Sequence, residues 1–181
     1  MNQPHHQNER FAVRLRKAVH VFCAGHFITL TDDLCEAVHG HNWLVGADVD
    51  GPPDAHGMVI DFIKLRDLLS GIVARLDHRM LLPTHNRLLD VSTATVASLD
   101  GGADRAEVTV WFKDRRWVFP ADECVLLPLV NTTAEWLACW IGRELLCAMA
   151  AAGSPITGSL RLEVDECLGQ SATWEWRPEN G

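Results

Sequence analysis

The stretch CEAVHGHN, Cys35 to Asn42, places two histidines one residue apart and a cysteine four positions before the first of them. His39 and His41 run into the alternating segment Trp43–Val49. Two apart on a strand, they point to one face, which they share with Trp43, Val45 and Val49. Gly40 between them removes a side chain where neighbouring backbone needs to approach. A third histidine, His26, lies thirteen residues before His39, and a hairpin through LTDDLCEA returns it close to the pair. Three neutral imidazoles leave a tetrahedral Zn²⁺ one open position, the arrangement of a catalytic centre. Two other readings stand beside this one. The histidines could be satisfied by hydrogen bonds at a strand's start, or Cys23 or Cys35 could close a structural zinc site. The chain lacks the CxxC pairs that usually build such knots.

Other groups carry chemistry too. Asp77 and His78 are adjacent in LDHRMLLP, read as the end of a helix. An aspartate that fixes an imidazole's tautomer makes a proton relay, whereas a plain helix end would only set His78 against terminal carbonyls. Cys35 rides on the loop that delivers the histidines, and beside Zn²⁺ its thiol would become a thiolate base. Glu166, in LRLEVDEC, either lies on a solvated face or anchors a ligand rich in N–H donors.

These groups need elements to position them. Alternation over Phe11–Val21 and Trp43–Val49 predicts two strands. Strict parity along the first puts His26 on its polar face, so FCAGH is expected to bulge, with Gly25 making that feasible. GPPDAHG (51–57) is a turn-rich break. Asp61 caps a helix whose apolar face runs Phe62, Leu65, Leu68, Leu69, Ile72, Val73, Leu76. A second helix spans Thr133–Ala151. Between the helices, AEVTVWF and RRWVFP flank Lys113 and Asp114 as a hairpin, within an insertion of about 84–130. SLRLEVDE and ATWEW close the chain as two more strands. The expected fold is α+β, an antiparallel sheet with two helices on one face.

Composition sets the outer bounds. The chain has 181 residues, enough for one domain (11–181) behind a flexible tail (1–10) that contains His5 and His6. No apolar run reaches the roughly 18 residues of a membrane span, and MNQPHHQNER lacks a secretory core. The expectation is a cytoplasmic protein with reduced cysteines. A net charge of −8 argues against nucleic acid as the main partner.

Taken together, FCAGHF, CEAVHGHN, GMVIDF, LDHRML, NTTAEWLA and VDEC, spread over residues 22–167, resemble the 6-pyruvoyltetrahydropterin synthase and 6-carboxytetrahydropterin synthase family. The resemblance implies the tunnelling fold (T-fold), in trimers that stack into homohexamers with sites at subunit interfaces. It implies a Zn²⁺ held by His26, His39 and His41, with Cys35 as catalytic base and Asp77 and His78 as its proton-transfer partners. Glu166 would anchor the pterin ring, and Thr133 and Glu135 would line the pocket, lent by a neighbouring subunit. The implied substrate is 7,8-dihydroneopterin triphosphate, converted to 6-carboxy-5,6,7,8-tetrahydropterin for queuosine and related deazapurines.

This chain departs from the family pattern in several places. Glu36 follows Cys35, so the motif reads CExxHGH. In the family CxxxHGH goes with 6-carboxytetrahydropterin, and ExxHGH with cleavage to 6-hydroxymethyl-7,8-dihydropterin for folate synthesis. The segment between His78 and Thr133 is long, and Thr132 stands where many members have proline. Three product readings remain open: the 6-carboxy, the 6-pyruvoyl and the 6-hydroxymethyl compounds. A non-catalytic pterin-binding protein is a further alternative, although such a protein would have no need of a base and relay.

Overall fold

A computed structural model describes residues 10–16, 20–98, 101–167 and 169–178. Its strands are β1 (Ala12–Leu15), β2 (Val21–His26), β3 (His39–Asp50), β4 (Arg79–Pro83), β5 (Asp90–Val96), β6 (Arg105–Phe112), β7 (Arg115–Pro120), β8 (Cys124–Leu127), β9 (Ser159–Cys167) and β10 (Gln170–Trp176). Helix α1 (Phe62–Ala74) lies between β3 and β4, and α2 (Ala134–Ala151) between β8 and β9. The expected tail, apart from Arg10, lies outside the described residues.

The main sheet has the order β10-β9-β3-β2-β4-β8, with β1 beside β2 on the same edge of β3. β2, β4 and β8 run parallel to one another, whereas the other pairs are antiparallel. This parallel edge adds to the antiparallel sheet expected from the sequence. RMLLP, taken from sequence as the tail of a helix, is a buried strand, and α1 stops at Ala74. A continuous apolar run of that length suits either element, and burial on both faces decides for a strand.

The first strand is corrected as well. Leu15 pairs with Ala47 and Val21 with Leu44, so the register on β3 shifts between β1 and β2. With that shift the inward parity moves from Val13 and Leu15 to Phe22, Ala24 and His26. FCAGH itself pairs regularly, and His26 reaches the core face because the irregularity falls earlier in the chain.

The helices cover the inward face of this sheet. Asp61 caps α1, its carboxylate accepting from the amides of Ile63 and Lys64. Leu65, Leu69 and Ile72 of α1 and Leu137, Ile141 and Leu145 of α2 share one core with Trp43, Val45, Leu160, Leu162 and Val164. Each such fully buried side chain contributes roughly 1.5–3 kcal/mol. Gly142 sits on α2 directly under the Trp174 ring, where an added methyl group has no room. Gly142→Ala is therefore expected to destabilise the fold by about 1–3 kcal/mol, because Trp174 must shift. Thermal denaturation checks this; an unchanged midpoint contradicts the packing.

The segment between β4 and α2 holds more than a hairpin. β6 and β7 pair across Lys113 and Asp114, with Lys113 at φ 55°, and β5 adds a third strand. β5, in the Ser- and Thr-rich DVSTATV, has too little apolar alternation to be read from sequence. This small sheet builds a second core in which Val108, Val110 and Phe112 meet Phe27, Cys35, Met80 and Leu82.

Candidate metal centre and substrate cleft

The β2–β3 register assembles the histidines. His26 stands opposite His39, and Ala24 opposite His41, so all three imidazoles share the inward face. Their ring centroids lie 4.6, 4.9 and 5.3 Å apart, backed by Trp43 at 4.9 Å from His26 and 5.2 Å from His41. A Cβ at position 40 would stand 3.1 Å from the Ala24 carbonyl oxygen, so glycine allows the tight strand approach beneath them. Glu166, at the end of β9, completes the group. Its Oε1 is 3.3 Å from His41 Nε2 and 3.5 Å from His26 Nε2. Ligand atoms of His26, His39, His41 and Glu166 all lie within 4.8 Å of one another.

The hydrogen bonds around this group fit a metal. His26 Nδ1 donates to the Thr132 carbonyl and His39 Nδ1 to the Ala37 carbonyl, each at 2.9 Å. Bonds of this kind fix the Nδ1–H tautomer and turn the Nε2 lone pair toward the centre. His26 Nε2 and His41 Nε2 are buried with no hydrogen-bond partner. Buried lone pairs converging with a carboxylate suit a cation between them. Burial lowers the His26 pKa from 6.5 to about 4, with the bond to Thr132 opposing the shift. At neutral pH His26 is thus uncharged, and its contact with Glu166 is not an ion pair. Three imidazoles with one carboxylate or one open position suit Zn²⁺.

This burial carries a pH consequence for the metal-free protein. Below its ordinary pKa of 6.5 the unfolded chain takes up a proton that folded His26 refuses until about 4. Stability is therefore expected to fall across that window as pH drops. The chelated wild type should lose more of its thermal midpoint between about pH 7 and about pH 5 than His26→Gln does. Equal losses would contradict the assignment.

The loop before His39 delivers Cys35 and Glu36 to different surroundings. Glu36 Oε2 lies 4.0 Å from His39 Nε2, with both side chains partly open to solvent. Cys35 is buried in the second core, 5% exposed. Burial raises its thiol pKa; Arg115 opposes the shift and Glu36 adds to it. Asp77 and His78 are joined, Oδ2 to Nδ1, at 2.9 Å. Asp77 also accepts from the Cys23 amide at 2.8 Å, which is the main cause of its lowered pKa. His78 donates its own amide to the Cys23 carbonyl and leaves its imidazole 82% exposed. Cys23 is three residues from His26, about 10 Å along a strand, so within one chain this pair faces solvent away from the histidines.

Thr133, Glu135 and Glu166 line one cleft of about 300 Å³ with Ile28, Gln170, Ser171 and Ala172. Thr133 is the N-cap residue of α2, and its bond to Glu135 lowers that carboxyl's pKa. Three contributors were not read from sequence: Thr132, whose carbonyl orients His26; Asn131, which ties the same segment to Thr29; and Arg115. No motif marks a residue that acts through its backbone carbonyl. The polarity of NTT inside an apolar stretch was the available signal.

An α+β sheet with two helices on one face and a three-histidine centre at its strand ends defines a T-fold domain with a candidate metal site. The chain belongs to the 6-pyruvoyl tetrahydropterin synthase family, whose sequence model matches residues 15–175. A Pyrococcus abyssi relative described as "Putative 6-carboxy-5,6,7,8-tetrahydropterin synthase" is 30% identical over 126 residues, 69% of each chain. The 6-pyruvoyl tetrahydropterin synthase of Plasmodium falciparum superposes with a TM-score of 0.81 at 23% identity, covering 94% of this chain and 99% of that one. A Plasmodium vivax 6-pyruvoyltetrahydropterin synthase, described as altered from glutamate to alanine at a catalytic residue, superposes at 0.79 with 21% identity over the same shares.

Proposed function

We propose that the protein is a zinc-dependent lyase that acts on the side chain of 7,8-dihydroneopterin triphosphate and forms 6-carboxy-5,6,7,8-tetrahydropterin, with acetaldehyde and triphosphate released. The observation that carries this reading is the convergence of partnerless Nε2 atoms on one point beside a cleft lined by carboxylates. His26, His39 and His41 would hold Zn²⁺, which supplies Lewis-acid polarisation of the side-chain hydroxyls. Glu166, which lines the cleft beside the histidines, would pair with the guanidine-like edge of the pterin through two charge-assisted bonds. Thr133 holds Glu135 ionised at the same cleft.

Glu36 is the base in this reading, because its carboxylate stands at the metal ligand while Cys35 is sealed in an apolar core. It takes a proton from the substrate side chain, and the Asp77–His78 pair passes protons onward. With His78 turned to solvent in the single chain, that relay is completed by assembly. We infer a homohexamer of stacked trimers, in the cytoplasm, with sites where subunits meet.

A second reading shares the substrate and the base but cleaves the side chain to 6-hydroxymethyl-7,8-dihydropterin. It is favoured by the carboxylate at position 36, the ExxHGH pattern, and by the catalytic glutamate named for the P. vivax neighbour. Mass spectrometry of the products from zinc-loaded protein and 7,8-dihydroneopterin triphosphate decides. The 6-carboxy product supports the first reading and the 6-hydroxymethyl product the second, while no product overturns both.

A further inference from the structure

We propose that Arg115, on β7 of the small sheet, is a positioning residue that holds the base-bearing loop against the metal centre. This rests on the reading of Glu36 as the base. The Arg115 guanidinium donates to two consecutive carbonyls of the loop, Nη1 to Cys35 at 2.6 Å and Nη2 to Glu36 at 3.1 Å. A planar fork that grips adjacent carbonyls fixes both the position and the rotation of the peptide between them. The guanidinium is itself held, with Cζ 4.6 Å above the Trp117 ring. Trp117 stacks on Phe27 at 4.7 Å and 19°, and Phe27 directly follows the ligand His26. A continuous stack thus runs from the metal strand to Arg115, and from there the hydrogen bonds reach Glu36. Two further cations of this segment reach the tip of the same loop: Arg87 pairs with Asp32 and Lys113 with Asp33. Those pairs are open to solvent and contribute little alone. Arg115 is the partly buried member, and the one that touches the residues with chemistry.

The β5–β7 sheet therefore has a catalytic consequence without contributing a side chain to the reaction. The loop's other anchors, the buried Cys35 side chain and the Thr29–Cys35 bridge with the Glu36 amide bonded to the Ile28 carbonyl at 3.0 Å, leave the Glu36 side chain itself unheld. Without Arg115 the Glu36 carboxylate is free to drift by an ångström or so, a displacement worth about a hundredfold in rate at a reacting centre.

The test uses the full zinc-loaded chain and the variants Arg115→Met and Arg115→Lys. Arg115→Met is expected to lower kcat by about tenfold to a hundredfold. KM and zinc per chain should stay near wild type, and hydrogen exchange at the Glu36 amide should become at least about tenfold faster. Arg115→Lys, able to reach one carbonyl, should recover part of both losses. Unchanged exchange and turnover overturn the proposal, as does a fall in kcat that merely follows lost zinc or lost folded protein. Glu36→Gln separates this from failure of the underlying reading. If Glu36→Gln keeps full turnover, the base is misassigned. Faster exchange in Arg115→Met with unchanged kcat would then show a clamped loop with no catalytic part, which also overturns the proposal.

Discussion

His39→Ala is expected to weaken Zn²⁺ binding by more than about a hundredfold and to remove turnover in the same proportion, while leaving the fold intact. Changing an outer partner of a metal ligand already costs about 10–100-fold in affinity, and loss of the ligand costs more. His39 is the informative ligand to remove because its side chain is 39% exposed, whereas His26 is 1% exposed and packs against Trp43. Removing His39 therefore takes away a donor without opening the core. Its Nδ1 is tied to the Ala37 carbonyl, so the wild-type ring is already oriented for binding. Zinc per chain after equilibration with a weak chelator reads the effect, and thermal denaturation of the metal-free forms controls for folding. Full zinc occupancy in His39→Ala would remove this residue from the centre.

The second large effect is expected at position 36. Glu36→Gln keeps the size and the polar contacts of the side chain but removes the proton acceptor, and should lower kcat by about 10²–10⁴-fold. Cys35→Ala should lower it by less than about tenfold, since the thiol lies in an apolar cluster that raises its pKa. The pair of variants is decisive because the residues are adjacent and general damage to the loop would affect both. If Cys35→Ala proves the costly change and Glu36→Gln the mild one, the base is the thiol, as the motif alone had suggested. Zinc content and the KM split should be unchanged in either variant, which separates a lost base from a lost site.

The motif could not distinguish these neighbours for a physical reason. CExxHGH states which residue types are available but not which of two adjacent side chains turns toward the histidines. That choice is made by Phe27, Met80, Leu82 and Val108, which close over Cys35 and come from three separate parts of the chain. Local patterns read more reliably. The α1 face and its Asp61 cap, the inward alternation of β3 and the strand character of β9 are dictated by neighbours in sequence. The grouping of His26 with His39 and His41 was legible because a hairpin fixes register. The parity of His26 was not, since no sequence signal marks the register shift between Leu15 and Val21. β4 and β8 were illegible as parallel strands, because a short apolar run acquires its identity only from the strands that flank it. The placement of Glu166 on the histidine side follows from its parity with Leu160, Leu162 and Val164 once the β9 register is known.

Zinc held by the three-histidine centre is expected to drive the chemistry on the pterin side chain. The most direct measurement adds Zn²⁺ stepwise to chelator-stripped protein in the presence of 7,8-dihydroneopterin triphosphate and follows the release of triphosphate. Release is expected to be absent in the stripped protein, to rise in proportion to bound zinc, and to level off at one ion per chain. Bound zinc at that ratio with no release of triphosphate, or release at full rate without zinc, would contradict it.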